Sequence, residues 1–239
     1  MRSIFRALST IKALSALKPL ILAPLLLLPI TAAGASVSCD NLKIEIRTPD
    51  NTVLDIICDA SRSALAFLQQ YELRPNKTIR INVVEHPLES IGHPVFGSYD
   101  SGSDLIEVMS FRAILDLSPL PVMYGEAFDP DHYFGVIAHE VAHAVVQQNT
   151  DLKRISTAAQ EYLAHTTQLA VMSSTRRLKI IESAGVGAWE PDDVISDIYM
   201  ALAIKRFAVK CYLHLTGHSA PLTFVQTLLT HKWRYVVAT

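Results

Sequence analysis

The sequence predicts an α+β fold in which a small antiparallel or mixed sheet precedes a mainly helical half. Residues 42–47 and 78–84 alternate apolar and polar side chains, the period of two expected of strands with one buried face. Residues 95–100 and 104–110 flank a polar turn and predict a hairpin. From residue 129 onward, helix start signals dominate the sequence, so the second half is predicted to be helical.

The helix boundaries are predicted from capping signals. Thr52, with Asp55 three residues later, resembles an N-terminal cap and predicts a helix to about Tyr71. Comparable signals predict four more helices, over residues 129–148, 157–172, 191–215 and 221–233, with the capping box of the second at Thr157–Gln160 and Gly217 stopping the third. The Gly- and Ala-rich segment 183–190 holds Trp189, which looks exposed. It is interpreted as a connector, or alternatively as a lid over a cleft.

The first 35 residues have the layout of a secretory signal. Four basic residues and no acidic ones precede an apolar run from Pro19 to Ile30, and small residues follow. Cleavage is predicted after Ala35, leaving one domain over residues 36–239. An uncleaved anchor is the alternative, but the apolar run is too short for a full span and contains two prolines. The mature protein is therefore expected in the periplasm or secreted, without stable membrane insertion.

The charge of the mature protein argues against nucleic acid as a partner. Removing the four basic residues of the leader changes the formal net charge from -2 to -6, with 17 Lys and Arg against 23 Asp and Glu. An acidic chain has no electrostatic attraction to a phosphate backbone. The sequence makes no prediction of the oligomeric state.

Three cysteines remain after cleavage, and export would place them in an oxidising compartment. The simplest bridge joins Cys39 to Cys58 and closes a loop worth about 3 kcal/mol in the chain-entropy estimate. Cys211 is left over. It falls on an apolar helical stripe, so it is predicted to be a buried, inert thiol.

The stretch His139-Glu140-Val141-Ala142-His143 is the candidate metal-binding motif of the sequence. Positions i and i+4 lie on one face of a helix, so His139 and His143 can hold one metal ion with Glu140 beside it. The neighbouring residues carry no charge, as expected of a helix buried beneath a cleft. The alternative is a surface helix that carries these three residues by coincidence.

A hydrolytic zinc site needs a third protein ligand and an open position for water. The metzincin pattern fails, since it would place Gly at position 146 and His at position 149, where the chain has Val146 and Asn149. His139-Glu140-x-x-His143 followed by Gln160-Glu161-Tyr162-Leu163-Ala164 resembles the gluzincin group of zinc peptidases, the thermolysin-like and aminopeptidase-like branch. A small, exported peptidase MA-like domain is the nearest form, and the resemblance covers about residues 105–229.

This resemblance implies a zincin-like fold and a set of residue roles. His139, His143 and Glu161 would bind Zn²⁺, and Glu140 would be the general base. Family members often supply a further oxyanion donor from a later helix, which implies a catalytic role for Tyr199. A half-buried core aromatic is the alternative for Tyr199.

One position departs from the thermolysin-like pattern. Those enzymes carry an acid one turn after the third ligand to orient a metal-binding histidine, and this chain has His165 there. His165 could hydrogen-bond Glu161, or it could be a fourth ligand. A fourth ligand would close the site.

The sequence therefore predicts an exported zinc-dependent metallopeptidase that acts on a peptide or protein substrate. The hairpin over residues 95–110 is proposed to bind the extended substrate as an added strand, with an ordinary edge strand as the alternative. Two other functions stay open. One is an inactive zincin-fold module that holds a peptide or an envelope partner, and the other is an amidase acting on a cell-wall peptide or a small metabolite.

Overall fold

The first half of the chain forms a small mixed sheet, and the second half is mainly helical, as the sequence predicts. The computed structural model describes residues 36–90, 93–151, 155–230 and 235–236. The strands are β1 (Ser36–Ser38), β2 (Ile44–Arg47), β3 (Ile79–Val84), β4 (Leu88–Ser90), β5 (His93–Val95), β6 (Gly97–Asp100), β7 (Leu105–Met109), β8 (Val122–Met123), β9 (Glu126–Ala127), β10 (Val194–Ile195) and β11 (Tyr235–Val236). The helices are α1 (Leu54–Gln69), α2 (Phe111–Leu115), α3 (Pro130–Gln148), α4 (Thr157–Val171), α5 (Ser174–Ala184), α6 (Asp197–Leu202), α7 (Ile204–Gly217) and α8 (Pro221–Thr230).

The main sheet has five strands in the order β1-β2-β3-β7-β6. Its three central strands run parallel, and β1 and β6 pair antiparallel at the two edges. The alternation in β3 buries Ile79, Ile81 and Val83 on one face, as predicted. The β6–β7 hairpin confirms the predicted pair of strands and leaves β6 at an edge. Strand β1 was not predicted, because three residues are too few to show a period.

Helix α3 is the central helix of the molecule. Asp129 accepts a hydrogen bond from the backbone N–H of His132 and Pro130 stands in the first turn, so the predicted start is confirmed. Most of the helix is buried on every side, with α1 and α4 packed against it. A helix that is apolar all round belongs in a core rather than at a surface, and this burial contradicts the coincidental surface helix.

Two predicted caps are wrong by one or two residues. Asp50, not Thr52, caps the short 3-10 turn that leads into α1, because its carboxylate accepts the backbone N–H of Thr52. Ser156, not Thr157, caps α4 and accepts the backbone N–H of Ala159. Ser, Asp and Thr all serve as caps, so composition alone does not select between neighbours.

The predicted helix over residues 191–215 is wrong. Residues 194–195 form β10, which pairs with β11, and Ser196 then caps the short helix α6. Ala203 leaves helical backbone angles and separates α6 from α7. Helix α5 was not predicted either. Ser173 caps it, and Gly185 ends it in a left-handed conformation.

The lid interpretation of Trp189 is wrong as well. The ring is 5% exposed, packs edge-on against Tyr199 and Phe207, and donates its N–H to the sulfur of Cys211. Residues 186–190 therefore form a connector that this ring fixes to the core. Cys211 is a buried free thiol, as predicted.

The predicted disulfide between Cys39 and Cys58 is present and joins the β1–β2 connection to α1. We expect the double variant Cys39→Ala/Cys58→Ala to lose about 3 kcal/mol of unfolding free energy, because the bridge restricts the unfolded chain. Urea denaturation of both proteins at one pH measures the difference. A Cys211→Ala variant is the control for thiol loss, and a loss below about 1 kcal/mol in the double variant would contradict the expectation.

The predicted leader, residues 1–35, and the end of the last predicted helix, residues 231–233, lie outside the described residues. Within the described ranges, no helix is both long and apolar enough to cross a membrane.

Candidate metal centre

The motif of α3 lies at the base of a cleft of about 600 Å³, a volume in the range of small-molecule and peptide sites. Edge strand β6 and the β8 segment form its walls, together with α4 and the start of α7. The polar side chains that converge in it are His139, Glu140, His143, Glu161 and His165.

Helices α3 and α4 bring two imidazoles and one carboxylate together, as the sequence predicts. The Nε2 atoms of His139 and His143 lie 3.0 Å apart. Glu161 approaches both rings, with Oε2 3.4 Å from Nε2 of His139 and Oε1 3.5 Å from Nε2 of His143. Donors bonded to a tetrahedral zinc ion lie about 3.4 Å from one another, so this spacing fits the ion.

His165 adds a further imidazole to the cluster. Its Nε2 lies 3.5 Å from Oε2 of Glu161. Ligand atoms of His139, Glu161 and His165 all lie within 4.8 Å of one another, a grouping that could also hold a metal ion. His139 and Glu161 are thus common to two sets of three ligands, one completed by His143 and the other by His165.

Hydrogen bonds at Nδ1 orient the imidazoles of His139 and His143. Nδ1 of His139 lies 3.1 Å from Oε1 of Gln168, and Nδ1 of His143 lies 3.2 Å from Oε1 of Gln160. A carbonyl oxygen can only accept, so both rings carry their proton on Nδ1 and turn a lone pair on Nε2 toward the cluster. Partners of this kind fix the tautomer of metal-binding histidines. The donor set therefore fits Zn²⁺.

Burial and the Glu161 carboxylate set the charges of the cluster. Burial lowers the pKa of His143 to about 4 and that of His165 to about 3, which keeps both rings neutral and able to bind a metal. Burial also acts to lower the pKa of His139, but the hydrogen bond and charge of Glu161 outweigh it and raise that pKa. Metal binding therefore competes with protonation of His139 at Nε2, because ligation requires the deprotonated nitrogen.

Glu140 stands beside the cluster and is 6% exposed. Burial raises its pKa to about 7, the charge of His139 opposes that rise, and the backbone N–H of Tyr99 in β6 donates to it. A carboxylate with a pKa near neutrality can take up and release a proton at physiological pH. This residue therefore has the protonation behaviour that the predicted base requires.

Strand β6 turns backbone groups that do not pair with β7 toward this carboxylate. The N–H of Met109 donates to the carbonyl of Phe96, so those two residues form a hydrogen-bonded pair. Hydrogen-bonded and open pairs alternate in an antiparallel ladder, and the register pairs Gly97 with Val108 and Tyr99 with Ile106. Gly97 and Tyr99 therefore direct their N–H and C=O groups away from β7, along the free edge of the sheet.

Gly97 is required by its contact with Glu140. A Cβ at position 97 would lie 2.7 Å from Cγ and 3.0 Å from Oε1 of Glu140. We expect Gly97→Ala to displace the carboxylate and lower turnover at least about 10-fold, since small misplacements of reacting groups are costly. Steady-state assays of the variant measure the loss, and zinc content should stay unchanged. Gly187→Ala, at a position with open space around it, is the control. Unchanged turnover in Gly97→Ala would contradict the expected contact.

Tyr199 does not line the cleft. It is half-buried in α6 with its ring 5.2 Å from that of Trp189, the arrangement expected of a core aromatic. Its neighbour Met200 lines the cleft instead. Catalytic use of the Tyr199 hydroxyl stays a prediction.

The residues that support the cluster were not predicted from the sequence. Tyr124 is buried in a turn with positive φ, and its hydroxyl lies 2.7 Å from both Nδ1 of His165 and Oε1 of Gln168. Gln168 lies seven residues after Glu161 on α4, which places the two on the same face of the helix, and that spacing was a signal that could have identified it. Gln160 is adjacent to Glu161 and points about 100° away around the helix axis, so helical spacing gave no signal for it.

The comparisons with known proteins give a family and no activity. The chain has no match among curated proteins. Residues 44–238 match the profile of a family of unknown function, DUF6639, and this range contains every residue of the cluster. Because the match covers most of the chain, the protein belongs to the family of unknown function DUF6639.

Proposed function

We propose that this protein is an exported, zinc-dependent metallopeptidase with a zincin-like fold. The observation that carries the proposal is the arrangement of Glu140. Its carboxylate is buried, and its pKa is raised to about 7. On one side of it lie the converging donors His139, His143 and Glu161, and on the other lies the free edge of β6. Sheet-edge recognition, proton transfer and metal binding are thus available within one cleft.

The side chains divide the reaction between them. His139, His143 and Glu161 would hold the ion, which supplies Lewis acidity and lowers the pKa of water toward neutrality. Glu140 accepts the proton of the attacking water on its carboxylate and then delivers that proton to the leaving nitrogen of the scissile amide. Gln160 and Gln168 keep the imidazoles in place while charge develops.

The edge of β6 supports a peptide as the substrate class. An extended chain can pair with the outward N–H and C=O groups of Gly97 and with the outward C=O of Tyr99, and so be held above Glu140 without demand on its sequence. The opposite wall offers apolar groups, among them Val122, which is 62% exposed, and Ile204, which is 53% exposed. We infer a preference for substrates with apolar side chains near the scissile bond.

The Cys39–Cys58 disulfide supports export, because such bridges persist in oxidising compartments. The proposed leader over residues 1–35 is consistent with the same route. An amide in a cell-wall peptide is an alternative substrate, since the same groups would attack it.

One observation favours a second function, an inactive module that binds a peptide or an envelope partner. His165 lies as close to Glu161 as the predicted ligands do. Four protein donors would occupy every coordination position of a tetrahedral zinc ion and leave none for water. The β6 edge would then bind a peptide without cleaving it.

The test of the proposal is metal content together with cleavage by the purified mature protein. We expect one zinc ion per chain, casein cleavage that a chelator abolishes, and recovery when Zn²⁺ is returned in stoichiometric amount. Zinc without cleavage of casein or of cell-wall peptides would favour the binding module. Absence of stoichiometric metal would overturn both functions.

A further inference from the structure

His165 presents an unsatisfied nitrogen to the metal cluster. The residue lies one turn after Glu161 on α4 and is 4% exposed. Within the described part of the chain, its Nε2 makes no hydrogen bond, although Oε2 of Glu161 is 3.5 Å away. A buried polar atom without a partner is costly and calls for an explanation.

The hydrogen bonds around Nδ1 of His165 show where the ring carries a proton. The hydroxyl of Tyr124 has one proton, and Oε1 of Gln168, 2.7 Å away, can only accept it. The contact between Tyr124 and Nδ1 of His165, also 2.7 Å, therefore requires the proton of the imidazole on Nδ1. Nε2 is then the ring nitrogen that faces the cluster, where ligand atoms of His139, Glu161 and His165 lie within 4.8 Å of one another.

A metal ion between Nε2 and the carboxylate oxygen, which lie 3.5 Å apart, would satisfy both atoms, because donors bound to a tetrahedral zinc ion have about this separation. A hydrogen bond that only orients Glu161 would bring the two atoms closer than 3.5 Å, and Nε2 makes no such bond. The network around Tyr124 thus favours ligation over positioning.

We propose that His165 binds the same metal ion through Nε2, as a protein ligand in addition to His139, His143 and Glu161. This inference rests on the proposed zinc site and deepens it. Four protein donors hold an ion more tightly than three and fill the tetrahedral positions. Hydrolysis then requires His165 to leave the ion or the ion to accept a fifth donor, so the resting site is closed to solvent.

The number of ligating histidines can be counted in the full mature chain loaded with Co²⁺. Each imidazole that binds paramagnetic cobalt through Nε2 gives one strongly shifted, solvent-exchangeable Nδ1–H proton signal. We expect three such signals in the wild-type protein and two in His165→Gln. We also expect His165→Gln to weaken cobalt affinity at least about 100-fold, the upper range for residues that only support a ligand. His86→Gln, at an exposed position, is the control and should keep three signals.

The outcomes separate this inference from the function it rests on. Two shifted signals in the wild-type protein overturn ligation by His165 and leave the three-ligand peptidase site intact. Failure to take up cobalt overturns the inference together with the metal site. Because the wild-type count alone decides the question, the result does not depend on how well His165→Gln folds.

Discussion

Replacing Glu140 by glutamine is expected to lower peptide turnover by about 100- to 10,000-fold while zinc content stays at the wild-type level. Glutamine matches the carboxylate in size, and its carbonyl can still accept the N–H of Tyr99, so the local structure should persist. It cannot take the proton of an attacking water. The loss therefore falls on turnover rather than on metal binding or folding.

Three measurements on one preparation check this expectation: zinc per chain, casein cleavage rate and unfolding temperature. Because burial penalises the charged form of Glu140, the neutral amide should leave the unfolding temperature equal or raise it. Glu182→Gln removes an exposed carboxylate on α5 and is the matched control. Full cleavage by Glu140→Gln would show that another group is the base, and loss of zinc would show that Glu140 acts in metal binding.

The parts of the site that the sequence predicted are those with a local signature. The cap and proline at residues 129–130 fix the start of α3. The i, i+4 spacing places the rings of His139 and His143 on the same face of that helix. Glu161 was predicted by resemblance, and the structure brings it to the two imidazoles. The β6–β7 hairpin was predictable because two short segments with strand-forming patterns flank a polar turn, and such segments usually pair with each other.

The rest depends on contacts between segments far apart in the chain. Residues 194–195 leave the predicted helix because they pair with β11, about 40 residues later in the chain, and no local pattern shows such a pairing. The position of Tyr124 behind His165 is set by a turn with positive φ. Trp189 looks exposed in a Gly-rich segment, yet the core formed with Phe207 buries it. Each case is tertiary packing overriding a local preference.

The ligand geometry predicts that the histidines of the motif are unequal. His139 belongs to both sets of three ligands that the structure brings together, whereas His143 and His165 each belong to one. His139→Gln breaks both sets, so it is expected to weaken zinc binding further than His143→Gln, to the point where zinc no longer raises the unfolding temperature. His143→Gln should retain an ion held by His139, Glu161 and His165, with affinity lowered at least about 100-fold.

Zinc titration followed by calorimetry and by thermal unfolding measures this difference. An ion at about 1,000 times its dissociation constant stabilises the folded protein by about 4 kcal/mol, so adding zinc should raise the unfolding temperature of the wild type. The rise should be smaller for His143→Gln and absent for His139→Gln. His86→Gln should match the wild type in both measurements. Equal loss of zinc from the two variants would mean that His165 cannot replace His143, and the cluster would then act as a single, ordinary three-ligand site.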